Sequence, residues 1–212
     1  MPLLLTITVV TGAVDAVSIL RLGHVFVANM TGNVVFLGFA LAGAAGFSVS
    51  ASLVALGAFL SGAAIGGRVL TSAPQRLLAR AATSEAVLCG AAAGVAATAS
   101  GTTARYAITV LLAVAMGLQN AAARSLAIPD LTTTVVTLTL TGLAADAPDV
   151  SSPNSHTLRR TTAVIAILAG AVAGAILVLH TSAAWALGSA ALCLAAVAVL
   201  GHRLIGRAAP PT

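Results

Sequence analysis

Thr161-Thr-Ala-Val-Ile-Ala-Ile-Leu-Ala-Gly170-Ala-Val-Ala-Gly174-Ala-Ile-Leu-Val-Leu179 is an uncharged, almost wholly apolar run. A helix needs ~20 such residues to cross the hydrocarbon core of a bilayer. Working outward, five more runs read the same way: about Leu3–Leu20, Val49–Gly67, Ala86–Ala104, Tyr106–Ala123 and Thr181–Gly201. The whole chain agrees with them. Of its 212 residues 59% are hydrophobic and 7% charged, against ~25% charged in soluble domains. Mean hydropathy is +1.07. The expected fold class is therefore all-α: one polytopic transmembrane helix bundle spanning residues 1–212, with no soluble domain. Aromatics make up only 3% of the chain, so Ala and Gly are expected to set the helix contacts by close backbone approach.

Met1 to Val10 lacks the basic start of a signal peptide and is followed by Asp15, so it reads as part of the first membrane helix. Cys89 and Cys193 sit in apolar stretches and read as small core residues.

Two further segments are too polar or too short for ordinary spans. Val25–Phe47 contains Asn29, Thr31, Gly32 and Asn33; Leu131–Ala145 lies between Asp130 and Asp146 and is rich in threonine. They are expected to be re-entrant or broken. The two halves of the chain also resemble each other. Gly12-Ala-Val-Asp15-Ala16 parallels Gly117-Leu-Gln119-Asn120-Ala121, and the Asn/Thr-rich segments follow each. Gly62/Gly66 then matches Gly170/Gly174, and Cys89 matches Cys193. This ordered set points to an internal duplication, with halves 1–100 and 101–212.

Arginine placement tests the topology. The net charge of +5 comes from ten arginines and no lysine, scattered singly or in pairs between apolar runs, where they set orientation and do not point to nucleic acid. If all eight segments crossed, the loops would carry five arginines on each side. With six spans and two re-entrant segments, Arg68, Arg76, Arg80, Arg124, Arg159, Arg160, Arg203 and Arg207 share one face, and Arg21 and Arg105 the other. That eight-to-two split places both termini in the cytoplasm. Three spans per half would turn the second half upside down, the inverted repeat common in transporters. A seven-span version, with only Leu131–Ala145 re-entrant, splits nine to one; the uncharged stretch from Val25 to Gly67 favours it, and the duplication favours six.

Asp15 is the leading functional candidate, because a carboxylate within an apolar helix usually faces a cavity or a partner; its structural alternative is a pair with Arg21 or a helix terminus. Gln119 and Asn120 occupy the equivalent place in the second half. Asn29 or Thr31 fits the cap of a helix starting inside the membrane, whose free N–H groups would face a solute. Asn33 belongs to the same polar run, which alternatively serves only to hold helices together. Asp130 fits an N-cap after Pro129, with Thr132, Thr133 and Thr134 supplying hydroxyls; ordinary capping is the alternative. Glu85 reads as a residue at the cytoplasmic start of a helix, where its charge suits the dipole. His24 reads as an interfacial histidine. No catalytic, metal-ligating or cofactor-binding constellation is present in the sequence, so the chain is not expected to be an enzyme.

Gly12-Ala-Val-Asp15-Ala16-Val-Ser18, followed by Leu22-Gly23-His24-Val-Phe26-Val-Ala-Asn29-Met30-Thr31-Gly32-Asn33, resembles a signature of the YoaK-like bacterial membrane proteins. Gly117-Leu-Gln119-Asn120 and Asp130-Leu-Thr-Thr-Thr134 are similar to that family's second signature. The resemblance covers nearly the whole chain and implies a multi-pass fold in the bacterial inner membrane. It assigns no activity.

The residues themselves suggest a secondary transporter whose partners are the lipid bilayer and a small solute or ion. Asp15, Asn29, Thr31, Asn33, Gln119, Asn120, Asp130 and Thr132–Thr134 would form its site where the two polar segments meet. The alternatives are a passive channel and a non-transporting scaffold or partner subunit. The Gly-x-x-x-Gly faces offer a second copy of the chain a place to pack.

Overall fold

The computed structural model describes residues 2–69, 74–126, 136–137, 139–141 and 155–208. Its helices are α1 (Pro2–Arg21), α2 (Met30–Leu41), α3 (Val49–Val69), α4 (Pro74–Thr98), α5 (Thr102–Ser125), α6 (Ser155–His180) and α7 (Ala183–Ala208). Six of them, all but α2, are long and apolar enough to cross a membrane. The protein is a transmembrane helix bundle.

The short helix α2 has 12 residues, about 18 Å at 1.5 Å per residue, well short of a ~30 Å hydrocarbon core. It does not cross. Leu22 and Gly23 at the end of α1 share one depression with Gly46, Phe47 and Ser48 before α3, and with Thr102 and Tyr106 at the start of α5. The segment between α1 and α3 thus leaves and returns at one end of the bundle, as the six-span reading expects of it. Four of the chain's five phenylalanines gather there: Phe26 stacks on Phe36 at 5.5 Å, and Phe36 and Phe39 both meet Phe47. Arg21 and Arg105 line a second depression at the same end, beside the turns at Ser100–Gly101 and Thr181–Ser182.

Glycine decides how the spans pack. α1 lies against α6, α3 against α5, and α4 against α7 and α5. A Cβ on Gly12 would strike the backbone of Ile167 and Ala171; one on Gly117 would strike Phe59 and Ala63. Gly170 rests on Val9 as Gly62 rests on Val114, and Gly174 rests on Ala13 as Gly66 rests on Leu118. Each contact of one seam therefore recurs in the other, displaced by 105 residues on α1 and α5 and by 108 on α3 and α6. The Gly62/Gly66 and Gly170/Gly174 motifs are thus occupied within the chain. Gly94 is open, with nothing within 4 Å of a Cβ placed there.

The third span differs from its sequence expectation of Ala86–Ala104. α4 starts at Pro74 and ends at Thr98, and Gly101, at φ 90°, makes the turn into α5. Arg76 and Arg80 are exposed on the first turns and leave the helix unbroken, because long basic side chains reach outward from a helix end. Cys89 is buried, Cys193 is exposed, and both are free thiols.

Candidate functional site

At the end of α1 the chain turns through Gly23 and His24, both at positive φ (93° and 56°), and folds back along the helix it has just left. This brings the backbone of residues 26–29 down to Asp15, whose Oδ1 accepts the amide of Ala28 at 3.4 Å, with the amide of Val27 also directed at the carboxylate. Asn29 then caps α2, its Oδ1 accepting from the Gly32 amide at 3.3 Å. Asn33, fully buried, grips Phe26 from both sides: its Oδ1 accepts the Phe26 amide at 2.8 Å, and its Nδ2 donates to the Phe26 carbonyl at 2.6 Å. Gly32 is required because the Phe26 ring lies on it; a Cβ there would come within 2.6 Å of the ring.

The Asn-Met-Thr-Gly-Asn run thus folds a re-entrant loop, with Asn29 and Asn33 bonded to neighbouring backbone and Thr31 exposed. Arg21 turns the other way, its Nη2 donating to the carbonyl of Val178 at 2.9 Å and so capping the last turn of α6.

A second polar cluster lies between α1, α4 and α5. Gln119 Nε2 donates to Thr11 Oγ1 at 3.2 Å, joining α5 to α1, and Thr11 donates in turn to the carbonyl of Ile7. Asn120 donates to the Met116 carbonyl of its own helix at 2.8 Å. Facing Gln119 is Glu85 of α4, 1% exposed. Both Glu85 carboxylate oxygens and Gln119 Oε1 are buried without a hydrogen-bond partner. Glu85 and Gln119 line one cavity of about 30 Å³, otherwise walled by Leu4, Ile7, Leu78, Ala81, Ala122, Ala123 and Leu126. That volume admits a water molecule.

Placing Glu85 at a helix start is therefore corrected: it lies eleven residues inside α4. The usable signal was Pro74, a residue favoured at the first helical position; counted from there, Glu85 falls three turns in. Asp130, Thr132, Thr133 and Thr134 lie outside the described residues. Within that same segment Thr139 is buried, with a hydroxyl that has no partner.

The comparisons with known proteins fit this architecture. The chain is 36% identical over 147 residues to the UPF0700 transmembrane protein YoaK of Bacillus subtilis (strain 168), a stretch that covers 68% of this chain. The match spans 65% of that relative's length. No solved structure matches the chain. The family model described as a protein of unknown function, DUF1275, matches residues 3–200, and the chain belongs to that family.

Proposed function

We propose that this protein is a secondary transporter of a small solute in the bacterial inner membrane, not an enzyme, built from two inverted three-span halves with the site where they meet. The observation that carries the reading is the pair of glycine seams. The first helix of each half is held by the second helix of the other half, at matching positions 105 and 108 residues apart. Halves related by a two-fold axis in the membrane plane would pack this way, and in transporters of that design the solute binds at the repeat interface. Here the first helices of the two halves, α1 and α5, are linked through Thr11 and Gln119. They also carry Asp15 and Asn120 at equivalent places, so the solute site centres on Asp15, Gln119 and Asn120, with the loop fastened by Asn29 and Asn33 forming one wall. A scaffold is the second reading, favoured by the local bonding of Asn29 and Asn33.

The test is a thermal-shift screen of purified protein across amino acids, nucleobases, organic acids and ions, since a ligand of the native state raises its apparent stability. Hits are then followed by flux into proteoliposomes. Saturable uptake that responds to an ion gradient supports a transporter, and non-saturating flux a channel. A screen with no ligand and no flux leaves the scaffold. The same topology puts both termini in the cytoplasm; reporter fusions at each end check this, and a periplasmic terminus would break the inverted repeat.

A further inference from the structure

Two acidic residues lie within spans among the described residues, and only one of them has partners. Asp15 receives loop amides. Glu85 faces Gln119 across a cavity where three acceptor oxygens have no partner, and the one donor group on its walls, Gln119 Nε2, already gives a hydrogen bond to Thr11. In an apolar surrounding an unsatisfied polar atom is costly, so this arrangement calls for a ligand that brings hydrogen. A metal cation fits poorly: hard cations take six or more oxygens, and the remaining walls are Leu, Ile and Ala side chains. A proton fits. It turns one carboxylate oxygen into a donor, and a single water in the cavity can pass that hydrogen bond on to Gln119.

We propose that Glu85 is a reversible proton-binding residue, with Gln119 as its partner across the cavity between α1, α4 and α5, and that its proton is the coupling ion of transport. The coupling clause rests on the transport reading above; the binding clause does not. On loading, a proton from bulk hydronium is relayed through the cavity water to the carboxylate, which becomes a neutral acid whose O–H donates toward Gln119, and the water is left neutral. Release runs the same transfer backwards.

The walls contributed by α1 and α5 hold no other titratable side chain, and on α7, also packed against α4, His202 and Arg203 are exposed. Cys89, one turn along α4 and buried, is the nearest titratable side chain on the same helix. The link to transport is Gln119, which bonds Thr11 one turn before Asp15 on α1. A change at Glu85 thus reaches the helix that carries the solute candidate. Leu4, Leu78 and Leu126, near the starts of α1 and α4 and the end of α5, place the cavity toward the arginine-rich end of the bundle.

Glu85 is the only glutamate in the chain, so it can be observed without mutation. Protein made cell-free with ¹³C-carboxyl glutamate is studied by infrared difference spectroscopy as pH is varied. The expected result is a protonated-carboxyl band that shifts with the isotope and fades as pH rises. The absence of such a band, or one that pH does not change, overturns the proposal. So does a stabilisation by sodium over choline that Glu85→Gln removes, which would make the site a metal-cation site. In proteoliposomes containing a transported solute, Glu85→Gln should abolish proton-driven accumulation while leaving downhill exchange. Unchanged proton-driven accumulation overturns the coupling clause. A titrating band in a protein that moves no solute leaves the proton site standing and removes the transport reading.

Discussion

Asp15 and Glu85 are both carboxylates within membrane-spanning helices, and the protein treats them differently. The chain folds back on itself to deliver backbone amides to Asp15. Around Glu85 it builds apolar walls and leaves both oxygens unpaired beside a cavity. The first arrangement fixes a loop in place. The second leaves room for something to arrive and depart. A charge in an apolar run marks an unusual position, but what surrounds it decides between structural and exchangeable roles, and those surroundings come from distant parts of the chain.

The largest effect should come from the re-entrant loop. Asn33→Ala removes both hydrogen bonds that hold Phe26 and strands a buried donor and acceptor, each worth about 1–3 kcal/mol. The expected loss is about 3 kcal/mol, read as earlier unfolding in detergent by the unmasking of buried Cys89 to a thiol dye in a Cys193→Ala background. Retained stability would mean that the loop is held by other contacts, and Asp15 would then lose its structural role.

Asp15 itself should separate stability from activity. Asp15→Ala deprives the Ala28 and Val27 amides of their acceptor and should cost about 1–2 kcal/mol in the same unfolding assay. Asp15→Asn keeps an acceptor oxygen at the same place, so it should fold like the parent and lose only transport or its coupling. Equal destabilisation by the two would show that the charge, rather than the hydrogen bond, holds the loop.

The six spans were legible because length and apolarity alone define them, and Gly62/Gly66 and Gly170/Gly174 because small residues at a four-residue spacing have one dominant use in membranes. The re-entrant nature of residues 25–47 was favoured by the duplication, since arginine placement fits seven spans as well as six. The bonding of Asn33 to Phe26 was not legible. A buried amide that satisfies local backbone and one that awaits a solute have the same sequence appearance, and only the turn at Gly23 and His24 tells them apart. Glu85 lies deeper than the charge pattern suggests, because α4 runs from Pro74 through Arg76 and Arg80, which by charge alone belong to a loop. Its partner Gln119 comes from another helix, beyond reach of any local pattern.

The smallest effect should be at Glu85, and its sign sharpens the contrast. Glu85→Met fills nearly the same volume with apolar atoms and removes two buried oxygens that have no partner. Replacing an unsatisfied polar group by an apolar one of similar shape is close to neutral or stabilising. Gln119 keeps its bond to Thr11, and the cavity shrinks or stays dry. The expected change is therefore a gain of no more than about 1 kcal/mol, seen as a slightly later unmasking of Cys89, where Asp15→Ala gives an earlier one. Opposite signs at two membrane-embedded carboxylates would be the thermodynamic signature of one that holds structure and one that is kept at some cost to stability. A loss of more than about 2 kcal/mol in Glu85→Met, the scale set by stranding a buried bonded group, would show that Glu85 has a structural partner after all, and the distinction between the two sites would collapse.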